Sequence, residues 1–497
     1  MKKIYLILFT VLISFPNRQL QAQTQTHYLT LEESIHIAKK QSLRMLGLTE
    51  NLKIAEYNLK STTSRFKTHI NMNLTLPQYT ETVRQWEDST GISFYPVKQL
   101  NYATRLTINQ PLPTDGNIYI QTGLSNYEDY FSDLRSSNLN TRIGFTQPLD
   151  AFYGYNQIRS AYKLAQLAYE KSNKLYKREE ALLVYNVSSY YYNLLSIQKR
   201  TEIAFMNLER QTEAFEISQK KYEAGLIREV DALQMEVDLA AAQNSYEGEL
   251  QNQFEAINSF KNMLGLDLRD SLILSSELKY KVVAIDPEKA VRLAIENRPE
   301  IRDREIEIAE QELNIKRQKA EGMVRGSIDA YFEKVGVSRQ DIDLSLGTSI
   351  KNSYKDFTNR PSNFGVGLTV TIPILDWGEN KALVRAAQAR LKQAAYNKEE
   401  EERNIETEVR NLVASLGSYL KRLQSLEKNV AVAEKSFQIT LQRYSDGDID
   451  SQSLALERDR LNSAYTTHLG AYIEYQRALA NLTYQTFYDF QKEELVQ

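Results

Sequence analysis

The chain of 497 residues contains no cysteine, which excludes disulfides, thiolate metal sites and thiol catalysis together. Its formal net charge is only −3, so there is no electrostatic reason to expect nucleic acid. Its four histidines, His27, His36, His69 and His468, are scattered without any metal-ligand spacing. "GVGLTV" (365–370) has two glycines of a nucleotide loop, lacks the third and sits inside a strand pattern, so it is no nucleotide site. No cofactor, metal or catalytic residue is expected, and the chain does not read as an enzyme. Tryptophan is scarce, with 2 against 31 tyrosines. Surfaces that meet both lipid and water favour tyrosine, because its ring is apolar and its tip is polar.

Long apolar runs are also missing. "MKKIYLILFTVLISFPNRQLQAQ" places Lys2 and Lys3 before an apolar stretch from Ile4 to Phe15. That stretch is too short to span a bilayer and reads as a secretory signal, residues 1–22, ending at Ala22. Beyond it no stretch approaches the roughly 20 residues of a membrane helix. A β-barrel remains open, because its backbone groups are satisfied between strands.

What is present is two periodicities joined at prolines. In "NFGVGLTVTIPILDWGENKALVRAAQARL" (363–391), Phe364, Val366, Leu368, Val370 and Ile372 alternate as in a strand. Their opposite face carries Gly365, Gly367, Thr369 and Thr371, small or neutral residues suited to a wall between lipid and an aqueous lumen. Similar alternation occurs at Ile70–Leu76, Tyr102–Ile108, Ile118–Leu124, Ile143–Phe145 and Ile328–Phe332. After Trp377 the step changes to three and four. Ile405, Val409, Leu412, Leu416, Tyr419, Leu423, Leu426, Val430, Ala433, Phe437, Thr440 and Tyr444 form one unbroken heptad stripe. A continuous helix from Glu379 to Asp446 would be about 100 Å long at 1.5 Å per residue. Tyr155 to Ala224 also lacks glycine and proline and carries Ile158, Ala161, Ala165, Ala168, Ser172 and Leu175.

Both long helices are expected to end at a glycine and reverse. "QKKYEAGLIREVDALQMEVDLAAAQNSY" (219–246) aligns with "LQRYSDGDIDSQSLALERDRLNSAY" (441–465) at one constant offset, with Tyr222 on Tyr444 and Gly225 on Gly447. "LTLEESIHIAKKQSLRM" (29–45) resembles "IDPEKAVRLAIENRPEI" (285–301). The chain is a tandem duplication, with repeats at 23–284 and 285–497, each running short helix, strands, long helix, turn and return helix.

The double repeat, the junctions Gln147-Pro148-Leu149 and Ile372-Pro373-Ile374 and the Tyr-x-x-Gly hairpin tips resemble the TolC-like outer-membrane efflux proteins, over nearly the whole chain. That resemblance implies a mixed α/β membrane protein, mostly helical. Three copies would form an outer-membrane β-barrel continuing into a periplasmic coiled-coil tunnel. It implies a homotrimer in outer-membrane lipid, with the helical part in the periplasm. Its partners would be a periplasmic adaptor and an inner-membrane pump of RND or ABC type. Pro148 and Pro373 would mark where the wall leaves lipid. The turns with Tyr222, Gly225, Leu226, Tyr444 and Gly447 would dock the adaptor.

In the family a tyrosine at the position of Tyr444 bonds an aspartate at that of Asp231 and helps close the entrance. The family's closing arginine is Ile449 here, and its acidic rings fall on Ser453 and Leu456. Asp446, Asp448 and Asp450 are candidate entrance acids in their place. "RLTINQPLPTDGNIYIQTGLSNY" (105–127) reads as an extra hairpin around Pro113–Asn117 with no counterpart in the second half. The competing reading is a secreted coiled-coil scaffold or stalk without a pore.

Overall fold

The computed structural model describes residues 26–89, 91–274 and 278–495, so the expected signal segment lies outside the described residues. The first repeat contains β1 (Thr26–Leu29), α1 (Leu31–Gln41), α2 (Leu43–Ser64), β2 (His69–Asp88), β3 (Gly91–Pro111), β4 (Asn117–Asp129) and β5 (Leu134–Pro148). It continues with α3 (Asp150–Tyr153), α4 (Gln157–Glu223), α5 (Glu229–Leu264) and β6 (Ser271–Leu274). The second contains α6 (Pro287–Asn297), α7 (Pro299–Glu321), β7 (Arg325–Asp341), α8 (Leu346–Asn359), β8 (Asn363–Thr371), α9 (Glu379–Asp446) and α10 (Ser451–Thr486), then the short pair β9 (Tyr488–Asp489) and β10 (Glu494–Leu495).

Helix lengths run in parallel along the two halves of the chain. α1, α2, α4 and α5 have 11, 22, 67 and 36 residues. Their counterparts α6, α7, α9 and α10 have 11, 23, 68 and 36. The chain divides into two compact units, residues 1–45, 183–282 and 415–481, and residues 46–182, 283–414 and 482–497. Each unit draws on both repeats, and α4 and α9 run through both.

The second unit holds a six-stranded antiparallel sheet in the order β2-β3-β4-β5-β7-β8. The first repeat supplies four strands and the second only two. The hairpin expected at 105–127 is β3 and β4, closed by the pair Pro111 and Asn117. One cross-strand row runs Ile70, Ile108, Ile120, Ile143, Phe332, Phe364 and is apolar at every strand. The adjacent row points to the other face and runs Asn71, Thr107, Gln121, Arg142, Glu333, Asn363, polar at every strand. The apolar face is exposed, Ile70 at 65% and Phe364 at 81%. Among the described residues β2 and β8 are open edges and the sheet is not closed.

Neither proline starts the helix that follows it. Pro148 is the last residue of β5, paired with Ser327, and α4 begins only at Gln157. The Asp115 carboxylate, in the β3–β4 turn, accepts the Gln157 and Ile158 N–H groups at 2.6 and 2.7 Å and so caps α4. β8 stops at Thr371, before Pro373, and α9 begins at Glu379. There Asp376 accepts from the N–H of Gly378 at 2.9 Å and of Asn380 at 3.1 Å. The prolines end strands, and aspartates start helices.

The heptad stripe of α9 is its buried side. Val409, Leu416, Leu423 and Tyr444 are 0–2% exposed, whereas Leu412, Tyr419, Leu426 and Ala433 on the other heptad row are half-buried. On α4 the face is set differently from the expected stripe. Ser160 and Leu167 are buried while Ala168 and Leu175 are exposed, because alanines give a face little apolar area and Leu167 outweighs them. In the second unit α7 is tied to α4 by Arg302–Glu170 (2.6 Å) and to α9 by Arg304–Glu401 (3.3 Å) and Glu305–Lys398 (3.2 Å). These pairs are partly exposed, so each contributes roughly 0–1 kcal/mol.

α8 packs on the apolar side of the sheet over β7 and β5, where Gly336 provides the room. A Cβ there would lie 2.1 Å from the Ser353 carbonyl oxygen and 2.6 Å from the Phe357 nitrogen. Gly336→Ala should therefore displace α8 and lower stability by about 1–3 kcal/mol. The check is thermal unfolding in detergent, in which Gly367→Ala, with no atom closer than 4.0 Å, should melt with the parent.

Candidate functional site

The two hairpin tips lie in the first unit and are built alike. At the end of α4, Gly225 N–H donates to the Tyr222 carbonyl (2.9 Å) and Leu226 N–H to that of Lys221 (2.8 Å). At the end of α9, Gly447 N–H donates to the Tyr444 carbonyl (3.1 Å) and Asp448 N–H to that of Arg443 (2.9 Å). Both are Schellman closures, which require a left-handed residue past the helix end, and Gly225 and Gly447 have φ of 70° and 90°. Tyr222 and Leu226 project from the first tip, Leu226 at 73% exposure.

Tyr444 faces inward. It is 2% exposed in a cluster with Ala214, Met235, Phe437, Leu454 and Leu461. Ile449, at the place of the family's arginine, packs against the same cluster as an apolar residue. Asp231 and Tyr444 line one cavity with Lys221, Arg228, Ile449 and Asp450. They are not bonded to each other. The Asp231 carboxylate is taken by Arg228, whose Nη2 and Nε donate at 3.0 and 3.1 Å. That guanidinium holds the Asp231 carboxyl below its ordinary range. The Tyr444 hydroxyl has no hydrogen-bond partner, and neither does that of Ser218, which is fully buried. Burial is the main cause that raises the Tyr444 phenol pKa; the Ser218 hydroxyl, close by but outside ordinary hydrogen-bond geometry, opposes it, and the Asp231 charge adds to it.

The hairpins are joined elsewhere. Lys221, in the last turn of α4, places Nζ 4.3 Å from the centroid of the Tyr444 ring and donates to the Tyr444 carbonyl. It thereby bonds a carbonyl at the end of α9, where a cation also meets the negative end of the helix dipole. Arg458 on α10 is a second link, donating to Gln211 on α4 and standing 3.5 Å from the Asp238 carboxylate on α5. Sequence reasoning passed over both residues. Lys221 carried one signal, a basic residue in a final helical turn, whereas Arg458 carried none.

The three candidate acids differ in role. Asp450 caps α10, accepting the Ser453 N–H at 2.9 Å, and this bonding lowers its pKa. Asp446 accepts from Gln442 Nε2 at 3.0 Å, and Asp448 is exposed. Pro148 lines a separate cavity in the second unit with Asp115, Gln157, Arg317 and Arg325. Among the described residues no cluster of His, Asp and Glu could hold a metal ion.

The family model described as outer membrane efflux protein matches residues 115–266 and 322–485. The alkaline protease secretion protein AprF of Pseudomonas aeruginosa is 20% identical over 365 residues, which are 72% of this chain and 71% of that protein. The CmeC outer membrane channel of Campylobacter jejuni has the same fold, with a TM-score of 0.66 at 14% identity, over 92% of this chain and 85% of that one. The open-state MtrE outer membrane channel of Neisseria gonorrhoeae gives 0.64 at 16% identity, over 92% and 88%.

The tip geometry separates two roles. Tyr444→Phe removes a buried hydroxyl that has no partner, so stability should change by less than about 1 kcal/mol or rise. Lys221→Met removes a bond and a cation–π contact and should destabilise by about 1–2 kcal/mol. Thermal unfolding followed by circular dichroism checks the order. The Arg228–Asp231 pair has its own pH signature. A lowered carboxyl pKa contributes stability above the ordinary value of 3.8, which is lost only as pH falls through the lower folded value. The tip should therefore be unchanged between about pH 7 and pH 5, which proteolysis of the turn would detect.

Proposed function

The chain belongs to the outer membrane efflux protein family, and from that premise we propose that it is the outer-membrane exit duct of an efflux or type I secretion system. Substrates would pass through it passively, across the periplasm and the outer membrane. The single observation that carries the proposal is the pair of adjacent rows, one apolar on all six strands and one polar on all six. A sheet with lipid on one side and water on the other needs that division. Its two open edges then call for closure by further copies of the chain, because unpaired backbone groups are not tolerated in hydrocarbon. Three copies contribute three times six strands, an even number inside the range of known barrels. In this reading the protein is a homotrimer whose barrel sits in the outer membrane and whose helices stand in the periplasm.

The turns at Tyr222, Gly225, Leu226, Tyr444 and Gly447 are assigned to docking a periplasmic adaptor, which connects the duct to an inner-membrane pump. The name of AprF, an alkaline protease secretion protein, favours a system that exports protein, for which we take an ABC-type pump as the first choice. The efflux description of the family leaves a pump of the RND type as the second choice. The entrance is assigned to Asp231 and Tyr444, with Lys221 and Arg458 as the side chains that link the hairpins. Asp446 and Asp448 put negative charge beside it.

Reconstitution in planar bilayers is the direct test. Purified protein should give discrete conductance steps, and a pore-free stalk would give none. Lys221→Met should raise the conductance by loosening the tips, and an unchanged value would move the gate elsewhere. The Gly225→Val/Gly447→Val double variant forces a β-branched residue into positive φ at both tips. It should still insert in the membrane but lose export, and normal export would remove the docking assignment.

A further inference from the structure

The apolar face of the sheet does not remain apolar along its height. Moving away from the end that connects to α2, α4, α7 and α9, the row Ile120–Ile143–Phe332 gives way to Thr122–Thr141–Lys334 and then to Leu124–Leu139–Gly336. Beyond these come Asn126–Ser137–Ser338 and Glu128–Arg135–Gln340. α8 covers this polar part from outside. Ser137 Oγ donates to Ser349 Oγ at 2.6 Å, and Ser353 Oγ donates to the Gly336 carbonyl at 2.8 Å. At the lower end of α8, Lys334 Nζ donates to the Thr358 carbonyl at 3.2 Å. The helix therefore runs antiparallel to β7 and ends where the rows of Phe332 and Phe364 begin.

The side of α8 turned away from the sheet carries Lys351, Tyr354 and Lys355, all exposed. The two lysines are one turn apart, and among the described residues neither has a carboxylate at ion-pair distance. The one acid within the helix, Asp356, is occupied. It accepts the Val337 N–H at 2.7 Å and pairs with Arg360 at 2.8 Å.

We propose that α8 binds the phosphorylated headgroups of outer-leaflet glycolipid, with Lys351 and Lys355 as the phosphate ligands. The inference rests on the reading of the sheet as a membrane wall. The occupant follows from position and charge. α8 lies on the face that meets lipid, immediately beyond the apolar rows, at the level where anionic headgroups replace acyl chains. Two ammonium groups one helical turn apart complement a phosphate, and a tyrosine between them suits the interface, with an apolar ring and a polar tip. Each lysine near a charged membrane surface strengthens binding severalfold, so reversing both produces a large effect.

The test uses the full chain purified in detergent and bisphosphorylated lipid A in mixed micelles, with binding followed by thermophoresis. Lys351→Glu/Lys355→Glu should bind at least about tenfold more weakly than wild type. Lys392→Glu/Lys428→Glu, the same change of charge on α9, should bind as wild type does. Dephosphorylated lipid A should bind wild type weakly. Equal binding by the α8 variant, or equal binding of the dephosphorylated lipid, overturns the proposal. Inorganic phosphate bound as tightly as lipid A also overturns it, since the site would then serve a free anion. Outer-membrane fractionation separates the two levels of inference. Wild-type protein missing from that fraction removes the duct reading and this one with it. Wild type present there, with lipid binding unaffected by the α8 substitutions, removes this one alone.

Discussion

The backbone of β2 and β8 sets the constraint on which the rest of the structure depends. Each edge strand pairs on one side only, so every second N–H and C=O along it lacks a partner in the single chain. In water those groups find solvent. Beside hydrocarbon each would cost several kcal/mol, more than the whole stability of an ordinary domain once summed over β8. Such a sheet is viable in a membrane only when its edges meet other edges. The alternation of rows acts in the same direction. An exposed apolar row from Ile70 to Phe364 is a liability in water, and a row with Arg142 and Glu333 is a liability in lipid. A closed barrel removes the three difficulties together, and no partial arrangement does.

Much of this was legible from periodicity. The helix read from Glu379 to Asp446 has those bounds in the structure, because one heptad stripe with no proline leaves few alternatives. The sequence also reads as a tandem repeat, and the helices of its two halves have similar lengths. The extra hairpin was legible as turn chemistry around Pro113–Asn117, although its place between β2 and β5 required the pairing register. Less was legible where one side chain had a choice of partners. Asp231 stands where a bond to Tyr444 would be expected, yet Arg228, three residues earlier on its own chain, reaches it first. Local geometry won over the distant partner. The start of α4, at Gln157 and not Tyr155, was missed for the opposite reason. Asp115 caps α4 from a turn more than forty residues away, and sequence spacing carries no trace of such a contact.

α8 illustrates another limit. Its sequence, Leu346 to Asn359, shows a helical period, but serines rather than leucines form its buried side. Ser349 and Ser353 are fully buried because they bond Ser137 and the Gly336 carbonyl across a close helix–sheet approach. A reading that seeks apolar stripes passes over a helix packed through hydroxyls.

The tips show how one substitution redistributes an interaction. Where the family places an arginine, Ile449 adds apolar area to the cluster of Tyr444, Phe437 and Leu454. An arginine there would join the hairpins by charge, whereas an isoleucine joins them by excluding water. What charge remains is Arg228 on Asp231 within one turn of chain, Lys221 on the carbonyl of Tyr444, and Arg458 beside Asp238. Separating the hairpins therefore means wetting the rings of Tyr444 and Phe437 and giving up the Lys221 bond together with the Arg458 links to Gln211 and Asp238. Salt screens surface charge but strengthens apolar burial slightly. Apolar contacts of this kind between the hairpins are little affected by ionic strength. Leu226, by contrast, stands 73% exposed beside the first tip and outside that apolar cluster.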